Sequence, residues 1–155
     1  MLESIDARTG LAQGACWSDS SAEEIDRAAL SARAVAGDFA AVPMALRAAL
    51  LRAMGQRLLP ARAALVALAD RETGLGPARL HGELERTVYQ LEQFALALDQ
   101  GGVHLLLDEP AVAGAPPQGR PHMTRVRVPL GPVAVFAASN FPFAFSVAGG
   151  DTAAA

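Results

Sequence analysis

The feature that most constrains the fold of this chain is a change in the spacing of its apolar residues near Gly101 and Gly102. Before this point, apolar residues recur every three or four positions, as on the buried face of an amphipathic helix. After it, residues 123–128 alternate between polar and apolar side chains, and residues 133–137 are wholly apolar. The first pattern is typical of a half-buried strand, and the second of a strand covered on both faces of a parallel sheet. The order predicts an α/β protein that is mostly helical in its first two thirds.

Four helices are predicted in the part with helical spacing. Their ends are marked by residues that start, interrupt or cap helices, namely a Ser21 to Glu24 capping box, Gly37, Pro43, Pro60 and Gly74. The predicted helices cover residues 21–36, 43–58, 61–73 and 78–99.

The other segments are shorter. Residues 1–20 follow neither period and are interpreted as an extended arm. Residues 103–107 and 123–128 are predicted to be strands joined by a loop. A last helix is predicted from Phe143 onward, and no helix-stopping residue follows, so the sequence is expected to end within a helix.

Composition and charge exclude several classes of function. All 13 basic residues are arginine, so the chain has no lysine amine for a Schiff base or a catalytic base. The net charge of −3, with no basic stripe, argues against a nucleic-acid partner. No apolar run approaches the roughly 20 residues of a membrane span, so no membrane role is expected. The three histidines are too scattered to suggest a metal site.

The single cysteine and the first residues indicate the compartment. Cys16 alone cannot form an internal disulfide or a thiolate zinc cluster, which favours a reducing environment. The beginning of the chain carries acidic residues where a signal peptide needs basic ones. The predicted location is therefore the cytoplasm.

Two further features have ordinary structural interpretations. Glu83 and Glu85 are two positions apart on a predicted helix, so they do not face each other as a catalytic pair, and both are assigned to solvated surface. The chain has no G-x-G-x-x-G run, so Gly149 and Gly150 indicate close helix packing rather than a phosphate cradle.

Asn140 is the leading candidate for chemistry. It follows the apolar strand and precedes Phe141-Pro142, which places a neutral amide at the carboxyl end of a sheet strand. Such an amide can donate to a carbonyl oxygen and stabilise the negative charge that develops there. Two structural alternatives stay open: Asn140 caps a helix near Phe143, or it fills a turn.

The segments 129–136 and 139–146 resemble the first nucleotide-fold strand and the Asn-Phe-Pro turn of the aldehyde dehydrogenase superfamily. Within it, residues 138–142 leading into 148–152 are most similar to the branch that oxidises 2,5-dioxopentanoate, also called α-ketoglutaric semialdehyde. Arg71 to Gly74 resembles the family's Glu-Thr-Gly helix end. The resemblance is strong from Pro129 onward and loose before it.

The resemblance implies roles for the matching positions. Asn140 is implied as the side-chain half of the oxyanion hole, and Ala137, Ala138 and Ser139 as the lining of NADP or NAD, with NADP favoured. Phe141 and Phe145, four positions apart, are implied as walls of the aldehyde entry, with ordinary core packing as the alternative. Many family members carry Trp where Ser139 stands here, which suits the semialdehyde branch.

The family mechanism implied is attack by a Cys thiolate on the aldehyde, hydride transfer to the cofactor and hydrolysis of the thioester. The family's nucleophilic Cys, its general-base Glu and its cofactor-binding Lys are expected beyond Ala155, and Cys16 is not the nucleophile. The chain is therefore expected to be an N-terminal fragment that is inactive alone.

The resemblance also predicts the organisation of the chain. It implies the N-terminal part of the aldehyde dehydrogenase fold, and a full-length protein that is a homodimer or homotetramer. The alternative from another class is a non-catalytic helical interaction module. The predicted regions are an arm at 1–20, a helical region at 21–102, an oligomerisation-type hairpin and loop at 103–130, and a truncated Rossmann-like cofactor unit at 131–155.

Overall fold

The structure is a computed structural model and describes residues 1–101 and 106–155. It contains helices and two small antiparallel sheets. The helices are α1 (Ala22–Ala40), α2 (Met44–Thr73), α3 (Pro77–Asp99) and α4 (Gly150–Ala154), and the strands are β1 (Leu2–Ile5), β2 (Ala12–Trp17), β3 (Leu107–Glu109) and β4 (Met123–Arg125). No helix in these ranges is long and apolar enough to cross a membrane.

The beginning of the chain is a β-hairpin, so the prediction of an extended arm was wrong. Strands β1 and β2 pair antiparallel, with Leu2 opposite Trp17 and Glu3 opposite Cys16. The turn between them is closed by Asp6, whose Oδ1 accepts from the backbone N–H groups of Arg8 at 2.9 Å and Thr9 at 3.0 Å. An Asp that binds its own backbone two and three residues on is a turn signal in the sequence, and it identifies this hairpin.

The first helix begins where the sequence predicts and ends later. Ser21 and Glu24 form the reciprocal capping box. Gly37 lies inside α1, because a single glycine costs a helix only about 1 kcal/mol and does not end it by itself. The C-terminal end of α1 is capped by Arg47, whose Nη2 donates to the backbone carbonyls of Phe39 and Ala40 at 2.7 Å each. No residue of α1 is buried.

The second and third predicted helices form a single helix, α2, which runs through Pro60 for 30 residues. Proline removes one backbone hydrogen bond from a helix interior. Here residues on both sides of Pro60 pack in the core, Leu51 before it and Val66 after it, which keeps the two halves together. Gly74, with a φ of 66°, is the left-handed cap that the sequence predicts.

The core lies between α2 and α3 in two clusters. Toward the beginning of α2, Ala48 and Leu51 pack with Leu91 and Ala95. Toward its end, Val66 and Ala69 pack with Leu80. The apolar stripe predicted for the last long helix is confirmed in α3, where Leu80, Leu84, Leu91 and Ala95 are all 1% exposed or less. This helix pair is the platform for the rest of the chain.

The strands after α3 are shorter than predicted. The described part of the predicted hairpin pairs Leu107 with Arg125 and Glu109 with Met123. Residues 126–128 are not a strand, and the predicted strand at 103–107 lies partly outside the described residues.

The doubly buried strand predicted at 133–137 is not formed within the described residues, and the prediction of a helix from Phe143 was wrong. Residues 133–137 have no regular structure, and Val133 is 50% and Phe136 87% exposed. An apolar strand requires neighbours on both edges and faces, and no described segment pairs with this one. Residues 141–149 form turns and bends, and the helix that follows them is the short α4.

The carboxylate of Asp70 fastens the N-terminal hairpin to the end of α2, and Ser4 of β1 also donates to Oε1 of Glu72. Both oxygens of Asp70 accept from Nη2 of Arg8, at 2.9 and 3.0 Å, and Oδ1 also accepts from the backbone N–H of Gly76 at 2.9 Å. The backbone N–H of Ala7 donates to the carbonyl of Arg71 at 2.7 Å. The Arg8 hydrogen bonds hold the pKa of Asp70 below its ordinary value of 3.8.

This lowered pKa predicts an acid-labile contribution to stability. A carboxyl group whose pKa is lower in the folded state stabilises the fold above its ordinary pKa, and the contribution is lost as the pH falls through the lowered value. Asp70→Asn is therefore expected to lower the melting temperature near pH 7, and the difference from wild type should shrink as the pH falls from the ordinary pKa of 3.8 through the lowered one.

The matched control is Asp26→Asn, which changes an exposed carboxylate on α1 and should leave the melting temperature unchanged. Thermal denaturation followed by circular dichroism across this pH range measures both variants. An Asp70→Asn difference that persists undiminished in acid would contradict the assignment.

Candidate functional site

Asn140 lies in a closed turn between residues 138 and 145. The backbone N–H of Ala138 donates to the carbonyl of Phe145 at 2.9 Å, and that of Phe141 to the carbonyl of Ala138 at 3.2 Å. No helix begins near Phe143, so the helix-capping interpretation of Asn140 was wrong, and the turn interpretation agrees with the structure. The backbone on both sides of the amide is held by hydrogen bonds.

The side chain of Asn140 is exposed while its backbone is fixed. Nη2 of Arg79 donates to the backbone carbonyl of Asn140 at 2.6 Å. The described residues make no hydrogen bond to the Asn140 side-chain amide. The amide N–H groups are thus available to an external acceptor, as an oxyanion donor requires.

The two phenylalanines that the sequence singles out are brought together. The rings of Phe141 and Phe145 meet edge to face, with centroids 5.3 Å apart and planes at 82°. Arg79 lies over the Phe141 ring and Arg86 over the Phe145 ring, at 5.1 and 5.9 Å from the centroids. Both rings are half-buried, next to Asn140 in the chain, and neither belongs to the two core clusters.

Residues 137–139, predicted to line a cofactor, lie directly before Asn140. Ala137 and Ser139 are exposed and Ala138 is half-buried. Of these three residues, Ala138 makes backbone hydrogen bonds in the described structure, to Phe145 and Phe141. Small side chains and open backbone groups fit a ligand that approaches the main chain closely. No metal-binding group of three or more His, Cys, Asp and Glu side chains is found in the described parts of the chain.

Glu83 is the residue that sequence reasoning missed. It was assigned to the solvated surface, which is right for Glu85 and wrong for Glu83, since Glu83 is only 6% exposed. Its Oε1 accepts from the backbone N–H groups of Phe143 at 2.8 Å and Ala144 at 3.0 Å. The available signal was its position on the apolar side of α3, one residue before Leu84 and three after Leu80.

Phe143 anchors the same turn through its side chain. The ring packs against the cluster of Val66, Ala69 and Leu80, at the seam between α2 and α3. The turn is therefore held by an apolar anchor in the seam and by a buried carboxylate that binds its backbone. The residues that receive the Phe143 ring and the carboxylate that binds the backbone all lie on α2 and α3, and none of them lies in a sheet.

The glycines after the turn pack closely, as the sequence predicts. A Cβ on Gly150 would lie 3.1 Å from Oε1 of Gln90 on α3. A Cβ on Gly149 would overlap the carbonyl of Ala144 and lie 2.8 Å from the backbone nitrogen of Ser146. The backbone N–H of Gly150 donates to the Ala144 carbonyl at 2.8 Å, which closes the segment.

Cys16 lies in the N-terminal hairpin, far from this turn along the chain. It is exposed on β2, opposite Glu3, and it is a free thiol. His122 is also exposed, with Nε2 at 2.6 Å from Oδ1 of Asp108. The described contacts bring neither residue to Asn140.

Comparison with known proteins identifies the class. The model of the aldehyde dehydrogenase family matches residues 3–155. The chain therefore belongs to the aldehyde dehydrogenase family, and the resemblance noted at residues 129–146 is confirmed.

Two curated relatives are more specific. The chain is 45% identical over 132 residues to alpha-ketoglutaric semialdehyde dehydrogenase 2 of Azospirillum brasilense, covering 85% of this chain and 25% of that protein. It is 36% identical over 154 residues to alpha-ketoglutaric semialdehyde dehydrogenase of Acinetobacter baylyi, covering 99% of this chain and 29% of that protein. The chain thus spans between a quarter and a third of the length of these relatives.

A solved structure supports the fold. The NAD-dependent benzaldehyde dehydrogenase from Corynebacterium glutamicum aligns with a TM-score of 0.64 over 74% of this chain and 23% of that chain. The identity is 21%, so this likeness bears on the fold alone.

The close approach at Gly149 predicts a sharp steric effect. Gly149→Ala is expected to lower the free energy of unfolding by about 1–3 kcal/mol, because the added methyl group overlaps backbone atoms that cannot move aside. Gly82→Ala on α3 is the matched control, since a Cβ there meets nothing within 4 Å. In a helix this control should raise stability by about 0.5–1 kcal/mol.

Urea denaturation of the two variants and the wild type tests this pair. Equal effects of the same sign at the two positions would show that the segment after the turn is not closely packed.

Proposed function

We propose that this chain is part of an NAD(P)-dependent aldehyde dehydrogenase that oxidises α-ketoglutaric semialdehyde to the dicarboxylate. Family membership supports the reaction type, and the printed names of the two curated relatives support the substrate. The observation that carries the proposal is the exposed Asn140 amide, which has no hydrogen-bond partner among the described residues while its own carbonyl is held by Arg79.

Asn140 is the side-chain donor for the aldehyde oxygen in this proposal. When a nucleophile attacks the carbonyl carbon, negative charge develops on the oxygen, and an amide N–H already directed at that position stabilises it. The donor needs little reorganisation if its backbone is fixed, as it is here by the turn and Arg79. The edge-to-face rings of Phe141 and Phe145 form the apolar wall past which the aldehyde enters.

Residues Ala137, Ala138 and Ser139 are proposed to hold the dinucleotide through backbone groups and small side chains. NAD(P), when bound, accepts the hydride that the aldehyde carbon loses. None of the three residues is charged, so they do not select between NAD and NADP. NADP is proposed on the resemblance to the semialdehyde branch.

The organisation predicted from the sequence is carried forward as part of the proposal. Residues 103–130 supply a hairpin for assembly, and residues 131–155 begin a Rossmann-like unit in which residues 133–137 pair with strands from other parts of the enzyme. The exposed apolar side chains of Val133 and Phe136 support this, as does the absence of buried residues in α1 for a homodimer or homotetramer. The proposed location is the cytoplasm.

The nucleophile and the general base are proposed to be residues outside these 155. The only cysteine here is exposed on β2, and no described contact brings it to the turn. The purified chain is accordingly expected to show no NAD(P)-linked oxidation of α-ketoglutaric semialdehyde, as followed by absorbance of the reduced cofactor. Turnover by the chain that disappears in Cys16→Ser would refute this assignment.

The role of Asn140 is tested in an aldehyde dehydrogenase that includes these residues. Asn140→Ala is expected to lower kcat by about 10²–10³-fold, because it removes a donor that acts mainly in the transition state. The matched control is Gln93→Ala, which removes an exposed amide from α3 and should leave kcat unchanged. Steady-state kinetics with NAD and NADP measure both. A loss confined to KM would contradict the oxyanion role.

A further inference from the structure

One face of α3 follows the site segment along its length. Arg79, Glu83, Arg86 and Gln90 recur at spacings of four, three and four, so their side chains lie on one side of the helix. We call these four residues the α3 stripe. They span 12 residues of α3, and the first and last are separated by about 16.5 Å along the helix axis.

The contacts of the stripe follow the order of the segment. Arg79 binds the carbonyl of Asn140, and Glu83 binds the N–H groups of Phe143 and Ala144. Farther along the helix, Arg86 lies over the Phe145 ring, and the Gln90 side chain lies beside Gly150, where an added Cβ would be 3.1 Å from its Oε1. The turn that carries Asn140 is thus hydrogen-bonded at two successive points by side chains from one helix.

Glu83 is an unusual residue at a buried position. Its Oε2 is buried and has no hydrogen-bond partner in the described structure, and burying an incompletely paired carboxylate destabilises a fold. Apolar packing is already supplied by Leu80 and Leu84 on the same helix. What Glu83 adds is one oxygen that accepts from two consecutive backbone N–H groups, which fixes the direction of the chain just after Asn140.

Arg79 acts closer to Asn140, at its own carbonyl. Its hydrogen bond to the Asn140 carbonyl is short, at 2.6 Å, and the same guanidinium lies over the Phe141 ring at 5.1 Å. A hydrogen bond and a cation–π contact from one planar group restrict the rotation of the peptide between Asn140 and Phe141. The two residues of α3 therefore hold the backbone at Asn140 and just after it, at Phe143 and Ala144.

We propose that Arg79 and Glu83 are positioning residues that fix the direction in which the Asn140 amide points. This inference rests on the proposed function. A shift of about 1 Å in a positioned group can reduce a rate by about 10²-fold, so residues that hold the turn act on catalysis without touching substrate. Neither residue belongs to the set that the sequence or the family resemblance marked as functional.

The test is a double-mutant cycle in an aldehyde dehydrogenase that includes these residues. Arg79→Met and Glu83→Ala are each made in the wild type and in the Asn140→Ala background, and kcat and KM for α-ketoglutaric semialdehyde are measured. In the wild type we expect each to lower kcat by about 10–10²-fold with KM changed by less than about threefold. In the Asn140→Ala background we expect each loss to shrink to about twofold or less, because the group being positioned is absent.

Conservative replacement separates the carboxylate's hydrogen bonds from its charge. Glu83→Gln keeps a carbonyl oxygen that can accept from Phe143 and Ala144. It is expected to recover kcat to within about fivefold of wild type. A Glu83→Gln variant as impaired as Glu83→Ala would overturn the role assigned to the two hydrogen bonds.

Two controls account for loss of stability and loss of charge. Leu51→Ala removes packing from the other core cluster and should destabilise the fold by about 2–5 kcal/mol with little change in kcat. Arg57→Met removes an exposed arginine of α2 and should change neither quantity. If Glu83→Ala does not fold, the cycle with Arg79→Met decides the matter, because Arg79 is exposed and its replacement leaves the core intact.

The outcomes distinguish the two proposals. Equal losses of kcat in the wild-type and Asn140→Ala backgrounds would mean that Arg79 and Glu83 have only a structural role. That result would overturn this inference and leave the proposed function unaffected. A wild-type enzyme without aldehyde oxidation would overturn the proposed function first. Losses that depend on Asn140 would support both.

Discussion

The packing of α3 against α2 is the interaction on which the rest of this structure depends. Two apolar clusters form along the seam, one on each side of Pro60, and they keep α2 continuous where a proline removes a backbone hydrogen bond. Other elements then attach to this pair. The N-terminal hairpin attaches at the end of α2 through Arg8 and Asp70, and Phe143 and Ala153 pack against the two clusters.

The helical part could be predicted well because its signals are local. The Ser21 capping box, the Gly74 cap and the apolar stripe of α3 each depend on residues within a few positions of one another. The failure at Pro60 has the opposite cause. Whether a proline ends a helix depends on what packs on either side of it, and here that packing is supplied by residues of another helix, α3.

The candidate site was predicted in part. The adjacency of Phe141 and Phe145 follows from their spacing, and it was found. The interpretation of Asn140 as a turn residue also agrees with the structure, whereas the buried strand predicted before it, at 133–137, is not formed within the described residues. A strand depends on hydrogen bonds to other strands, so its own composition cannot establish whether it pairs.

Glu83 shows a further limit of sequence reasoning. A carboxylate on a helix is usually solvated, and its neighbour Glu85 is. Glu83 differs because the segment that it binds lies 60 positions later in the chain, with Oε1 2.8 Å from the nitrogen of Phe143. Only the fold brings that backbone to this helix. The most informative charged residue of the site was therefore also the one with the weakest local signal.

The matched order of the α3 stripe and the site segment makes the length of this helix a constraint. One residue inserted between Arg79 and Gln90 would rotate the later members of the stripe by about 100° around the helix axis and advance them by about 1.5 Å. The later contacts, at Phe145 and Gly150, would then be separated from the earlier one at Asn140. A point substitution in this stretch of α3 changes the contacts of one residue, whereas an insertion or deletion displaces several residues of the stripe at once. Among proteins that keep this turn, α3 should vary in sequence far more readily than in length.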